Sequence, residues 1–77
     1  MSTMGQRIRT LRRAKGFSQQ ELANRLGVTK AAVMHWETGR TKNIRNRTML
    51  ELVRILETDQ EFLLYGPTRT RTTPNSD

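Results

Sequence analysis

From Ser18 to Thr38 the chain reads SQQELANRLGVTKAAVMHWET, and its apolar positions recur at helical spacing in two short bursts. Leu22, Ala23 and Leu26 share one face of one helix, and Val33 and Trp36 share the inward face of the next. Gly27 separates them, where a helix ends with least strain in left-handed backbone. Both starts are marked. Ser18 and Glu21 have the spacing of a capping box, and Phe17 and Leu22 are placed as a hydrophobic staple across it. Thr29 is an N-cap flanked by Val28 and Val33 at the same staple spacing. Two capped helices around one glycine form a helix-turn-helix pattern.

The flanks extend the same all-α plan. Met4, Ile8 and Leu11 predict a first helix over Gly5 to Lys15, ended by Gly16 and preceded by a frayed start, Met1 to Thr3. This helix carries Arg7, Arg9, Arg12, Arg13 and Lys15 and no acid. Arg7 and Arg9 are expected on a solvated face. Arg12 sits one turn after Ile8 and beside Leu11, near the buried edge. After Gly39 comes RTKNIRNR, four bases in eight residues with no acid, which reads as a loop. A fourth helix is expected from about Asn46 to Glu57. Leu50, Val53 and Leu56 form one apolar stripe, and Leu52 and Ile55 a second on another side, so this helix is buried on more than one side. Thr58 and Glu61 have capping-box spacing, with Asp59 at the positive end of the helix dipole. They open a short fifth helix with Phe62, Leu63 and Tyr65, stopped by Gly66 and Pro67. The expected division is a helix-turn-helix domain over 4–66 and a tail or linker stub over 67–77, whose last ten residues contain no apolar side chain.

Charge and composition narrow the function. The 77 residues include no cysteine, which excludes disulfides and thiolate metal sites. The missing cysteines fit the cytosol. No apolar run is long enough to cross a membrane, and the first residues carry no signal-peptide core. Fourteen Lys and Arg against seven Asp and Glu leave a net charge of +7, which points to a polyanion, with nucleic acid the default. Glu51, Glu57, Asp59 and Glu61 gather late, so the charge is polarised. Catalysis is not expected: His35 is a lone histidine, the carboxylates are scattered, and neither a phosphate-binding glycine loop nor a metal-ligand cluster is present. No cofactor is expected.

The capped helices, the turn glycine and the apolar positions together resemble the Cro and C-type phage repressor family of helix-turn-helix domains (the XRE family), over roughly Gly5 to Gly66. The resemblance implies a compact five-helix, lambda-repressor-like fold with helices 2 and 3 as the motif. It implies a sequence-specific double-stranded DNA-binding regulator, a phage or prophage repressor on a palindromic operator, working in the bacterial cytoplasm and at the nucleoid when bound. The second motif helix then seats its N-terminal turn in the major groove. Its outward side chains are Thr29, Lys30, Ala31, Met34 and His35. Lys30 suits guanine O6 and N7, and Ala31 suits a thymine methyl. The phosphate set carried over is Ser18, Gln19, Arg40, Lys42 and Asn43, with Gln19 at a helix N-terminus that favours an anion. Arg12 and Glu37 match an arginine–glutamate pair of close relatives, and Trp36 is expected in the core. Where relatives usually place a proline, near Ile44, this chain has a basic, asparagine-rich loop.

The family pairs two-fold dimers with palindromes, and Leu52, Ile55, Phe62 and Leu64 are candidates for a weak homodimer surface. The opposing expectation is that the fifth helix folds back and closes the core. An antirepressor protein is a further expected class of partner. An antitoxin and a restriction-modification controller use the same motif, and a protein–protein interaction module is an alternative from a different class, though it needs no basic loop after Gly39. RNA binding ranks last, because the aromatic interleaving of single-strand readers is missing.

Overall fold

Helix α1 (Met4–Ala14) begins one residue earlier than its apolar spacing suggests, because Thr3 caps it. The Thr3 hydroxyl accepts from the Gln6 backbone N–H at 3.2 Å and the Gln6 side chain accepts from Thr3 N at 3.0 Å. Thr3 is therefore pinned, where the sequence suggested fraying; Met1 and Ser2 of the expected frayed start lie outside the described residues. The computed structural model describes residues 3–67, and the expected tail, apart from Pro67, lies outside them. Four more helices follow: α2 (Gln19–Leu26), α3 (Lys30–Thr38), α4 (Asn46–Ile55) and α5 (Gln60–Tyr65).

The turn between α2 and α3 follows from Gly27, whose φ of 72° and ψ of 31° are left-handed. The Val28 N–H donates to Ala23 O at 3.0 Å and the Gly27 N–H to Asn24 O at 3.3 Å, so the last carbonyls of α2 are satisfied as the chain turns. Both predicted caps form. The Ser18 hydroxyl accepts from Glu21 N at 3.0 Å, the Glu21 carboxylate accepts from Ser18 N at 2.8 Å, and the Thr29 hydroxyl accepts from Ala32 N at 3.1 Å.

Helices α1 and α2 pack on α3, α4 on α2, and α5 on both α1 and α4. Between them lie Ile8, Leu22, Ala23, Val33, Trp36, Met49, Leu52, Leu56 and Leu63. Each aliphatic side chain of this set contributes roughly 1.5–3 kcal/mol by leaving water, so the short helices are held by packing more than by propensity. Trp36 is 5% exposed and belongs to the core.

Four expectations are corrected here. The buried stripe of α4 and its cap is Met49, Leu52 and Leu56 with Val53 beside it, at i, i+3, i+4 and i+7; Leu50 points outward and is 57% exposed. Leu52 is fully buried, so it is a core residue and takes no part in a dimer surface. Helix α4 ends at Ile55, and Glu57 lies beyond it with a left-handed φ of 55°. Helix α5 is capped by Asp59, which accepts from Phe62 N at 2.7 Å, in place of Thr58. Thr58 is committed to the end of α4, its N–H donating to Val53 O at 2.9 Å.

Arg7 is the largest departure. It was expected on a solvated face and is 8% exposed. Its Nε and Nη2 both donate to the carbonyl oxygen of Leu63, at 3.1 and 2.9 Å. That carbonyl belongs to the last turn of α5, where a helix has no internal donors to offer and where a cation suits the dipole. Arg7 thus holds α5 against α1, and Leu63, fully buried, closes the core.

Candidate nucleic-acid interface

Helix α3 presents a sharply divided surface. Val33, Trp36 and Glu37 are buried, while Thr29, Lys30, Ala31 and Met34 are exposed and His35 is half-buried. At 100° per residue, Lys30, Ala31, Met34, His35 and Thr38 follow one stripe along the helix, starting at its N-terminal turn. The stripe combines a flexible cation, a methyl, a thioether and an imidazole. The Thr29 hydroxyl oxygen already accepts from Ala32 N, which leaves its hydrogen for an outside acceptor. Thr38 was not singled out by the sequence; its hydroxyl donates back to Met34 O at 3.0 Å, within the same stripe.

Two flanking elements bracket this face. On one side, α2 begins at Gln19. Among the described residues, the backbone N–H groups of Gln19 and Gln20 have no partner, as expected of a first helical turn. Ser18 has both its N–H and its hydroxyl oxygen engaged in the capping box, so only its hydroxyl hydrogen remains for a phosphate. The Gln19 side chain is half-buried, and its Nε2 donates to Glu37 Oε1 at 3.0 Å. On the other side runs the loop after Gly39, whose φ of 80° turns the chain out of α3. Thr41 N donates to His35 O at 3.2 Å, and half-buried Ile44 packs on the core. With the loop pinned at these two points, Lys42 and Asn43 are exposed between them and Arg40 is exposed just before the first. Arg40 lines a surface groove together with Met34, His35 and Thr38, so the basic loop and the α3 stripe are contiguous.

Arg45 and Arg47 continue the basic surface past the loop. Arg45 occupies the N-cap of α4 without a side-chain cap bond, and the first turn of α4 has no acid. The sequence places both in the acid-free basic stretch after Gly39, a stretch suited to clamping phosphates, but leaves them outside the phosphate set carried over from the family. The missing acids around them were the usable signal.

Behind the face lies an ion pair. Arg12 Nε donates to Glu37 Oε2 at 2.6 Å and Arg12 Nη2 to Glu37 Oε1 at 3.2 Å, with side-chain exposures of 10% and 3%. Arg12 Nη1 donates in addition to Phe17 O at 2.7 Å. Of the dimer candidates, Ile55 and Phe62 are half-buried and pack on the core, and Leu64 is 38% exposed beside Tyr65 at 70%. Among the described residues no cluster of His, Asp and Glu could hold a metal ion, and no helix is long and apolar enough to cross a membrane.

Residues 3–63 match the family model described as a helix-turn-helix domain. The chain belongs to the XRE-like helix-turn-helix family. It is similar to the SPbeta prophage-derived HTH-type transcriptional regulator YonR of Bacillus subtilis, with 36% identity over 62 residues. That alignment covers 80% of this chain and 56% of YonR, so the chain spans just over half the length of that relative. Among solved structures, the P22 c2 repressor in complex with a synthetic operator is 30% identical, with a TM-score of 0.81 over 87% of this chain and 100% of that one. SinR in complex with DNA is also 30% identical, with a TM-score of 0.73 over 79% of this chain and 97% of that one. SinR in complex with the SinI protein matches with 27% identity and a TM-score of 0.75, over 96% of this chain and 70% of that one. The XRE-like domain thus has the lambda-repressor type of five-helix fold. It is a DNA-binding, transcriptional-regulator domain and not an enzyme.

Proposed function

We propose that residues 4–66 form the operator-reading domain of a phage or prophage repressor, acting in the bacterial cytoplasm as a two-fold dimer on palindromic DNA. The observation that carries this is that Arg40 lines one groove with Met34, His35 and Thr38 of α3, while Gln19 at the start of α2 is bonded to Glu37 of the same helix. The α3 stripe supplies base contacts. Lys30 donates to guanine O6 or N7, Ala31 meets a thymine methyl, and Thr29, Met34 and His35 complete the edge. The flanks supply backbone contacts from Ser18, Gln19, Arg40, Lys42 and Asn43, which set register on the duplex. The P22 c2 repressor on its operator and SinR on DNA support the reading. The prophage origin of YonR supports the phage role.

One domain reads too few base pairs to select a site in a genome, which favours dimerisation. Leu64 and Tyr65 are the apolar side chains of α5 left exposed, with half-buried Ile55 and Phe62 at their margin, and a surface this small gives a dimer that forms fully only on DNA. The SinR–SinI complex supports a protein antagonist as a second class of partner. Selection of bound sites from random duplex DNA tests the whole reading. A palindromic consensus with half-sites about 10–10.5 bp apart is the expected result. A single asymmetric site contradicts the dimer, and no enrichment contradicts operator reading altogether.

A further inference from the structure

The carboxylate of Glu37 sits in the last turn of α3, at the negative end of the helix dipole, with its side chain 3% exposed. A buried anion is stable there only if donors surround it, and they come from two other elements. Arg12 on α1 supplies two, and the side-chain amide of Gln19, the first residue of α2, supplies a third at 3.0 Å. Arg12 also holds Phe17 O, two residues before α2 begins. The entrance to α2 is therefore tied twice to the end of α3, once through Arg12 and once through Gln19.

The chemistry of the pair fixes the amide. A carboxylate only accepts, so Gln19 turns its NH2 end toward Glu37. One amide hydrogen is used, and the other remains to donate outward beside the open backbone N–H of the same residue. Arg12 neutralises the Glu37 charge, so the anion does not repel a neighbouring phosphate.

We propose that Glu37 is a positioning residue for DNA backbone binding. It aims the Gln19 amide and locks the N-terminus of α2 to the reading helix, so the phosphate anchor and the base reader dock as one rigid body. The proposal rests on the reading of Gln19 as a phosphate contact. It assigns Glu37 a role in DNA affinity separate from its role in stability.

The test is a cycle in duplex affinity, using the duplex selected from random DNA. The variant Arg12→Met with Glu37→Leu removes both charges together, leaves net charge unchanged, and replaces a buried pair with apolar side chains, a swap that often preserves or raises stability. Gln19→Ala is made in the wild type and in this background. In the wild type it weakens binding about two- to tenfold, the weight of one hydrogen bond. In the Arg12→Met, Glu37→Leu background it weakens binding less than twofold, because the amide is no longer aimed. The salt slope is unchanged in both, since no phosphate-facing cation is lost. Equal losses in the two backgrounds overturn the proposal while leaving DNA binding intact, whereas a wild type that binds no duplex removes the underlying reading and the proposal with it. A second measurement needs no variant and no DNA: hydrogen exchange of the Gln19 side-chain amide in the free protein. Slower exchange than at the exposed Gln60 amide is expected, and equal exchange overturns the proposal.

Discussion

Gly5 and Trp36 hold α1 and α3 at backbone contact: a Cβ on Gly5 would overlap the carbonyl oxygen of Trp36 and lie 2.8 Å from that of Glu37. Inside an ordinary helix, replacing glycine with alanine gains about 0.5–1 kcal/mol. Here the neighbour is backbone and cannot step aside. Gly5→Ala is therefore expected to destabilise the domain by roughly 1–3 kcal/mol, the cost typical of overpacking. Chemical denaturation checks it, and a midpoint raised above wild type would deny the close approach.

The Arg12–Glu37 pair is nearly sealed from water, which decides its weight. An exposed pair would be worth under about 1 kcal/mol. Removing one partner of a buried pair leaves an uncompensated charge and costs about 3–5 kcal/mol. Glu37→Ala is expected in that range, with the denaturation midpoint as the measure. An unchanged midpoint would place the pair in solvent.

Glu57 holds a left-handed φ of 55° after α4, a conformation that costs a non-glycine residue about 1 kcal/mol or more. Its carboxylate pairs with Lys15 Nζ at 2.6 Å, but Glu57 is 73% exposed there, so that bridge adds little. Glu57→Gly is expected to leave stability unchanged or raise it by up to about 1 kcal/mol, the glycine's looser unfolded chain taking back part of the gain. A clear fall in thermal midpoint would mean that the bridge outweighs the backbone.

What the sequence made legible was local. The caps at Ser18 and Thr29, the turn at Gly27 and the inward Val33 and Trp36 each involve residues within one or two turns of one another, and all form as expected. The Arg12–Glu37 partnership came from family resemblance, since the two lie 25 residues apart. Arg7 was misplaced because its partner, the Leu63 carbonyl, is 56 residues away and is a backbone atom with no sequence signature. Thr58 and Asp59 are adjacent cap formers, and only the end of α4 decides between them. Leu50 and Leu52 lie on competing stripes of one helix, and the choice depended on Met49, which the spacing argument left out. The bonding of Gln19 to Glu37 was likewise invisible before the helices were assembled.

The exposed loop bases should act through charge alone. Replacing Arg40 and Lys42 together with alanine is expected to lower the log–log salt slope of binding by about 1.8, at about 0.9 per phosphate contact. Affinity should fall by a similar factor on every duplex. Loss confined to one sequence would make these residues base readers.

The central claim is that the N-terminal turn of α3 enters the major groove, and Ala31 tests it most directly. Ala31 is exposed in the first turn of α3, where an added carboxylate favours the helix dipole and leaves the fold intact. In the proposed complex that same carboxylate would face bases and phosphates. The measurement is the affinity of Ala31→Asp for the selected operator, with Lys30→Ala alongside. Lys30→Ala is expected to relax base choice at one position per half-site, by about 1–3 kcal/mol. Ala31→Asp is expected to abolish specific binding with an unchanged denaturation midpoint; binding at wild-type strength would take α3 out of the groove.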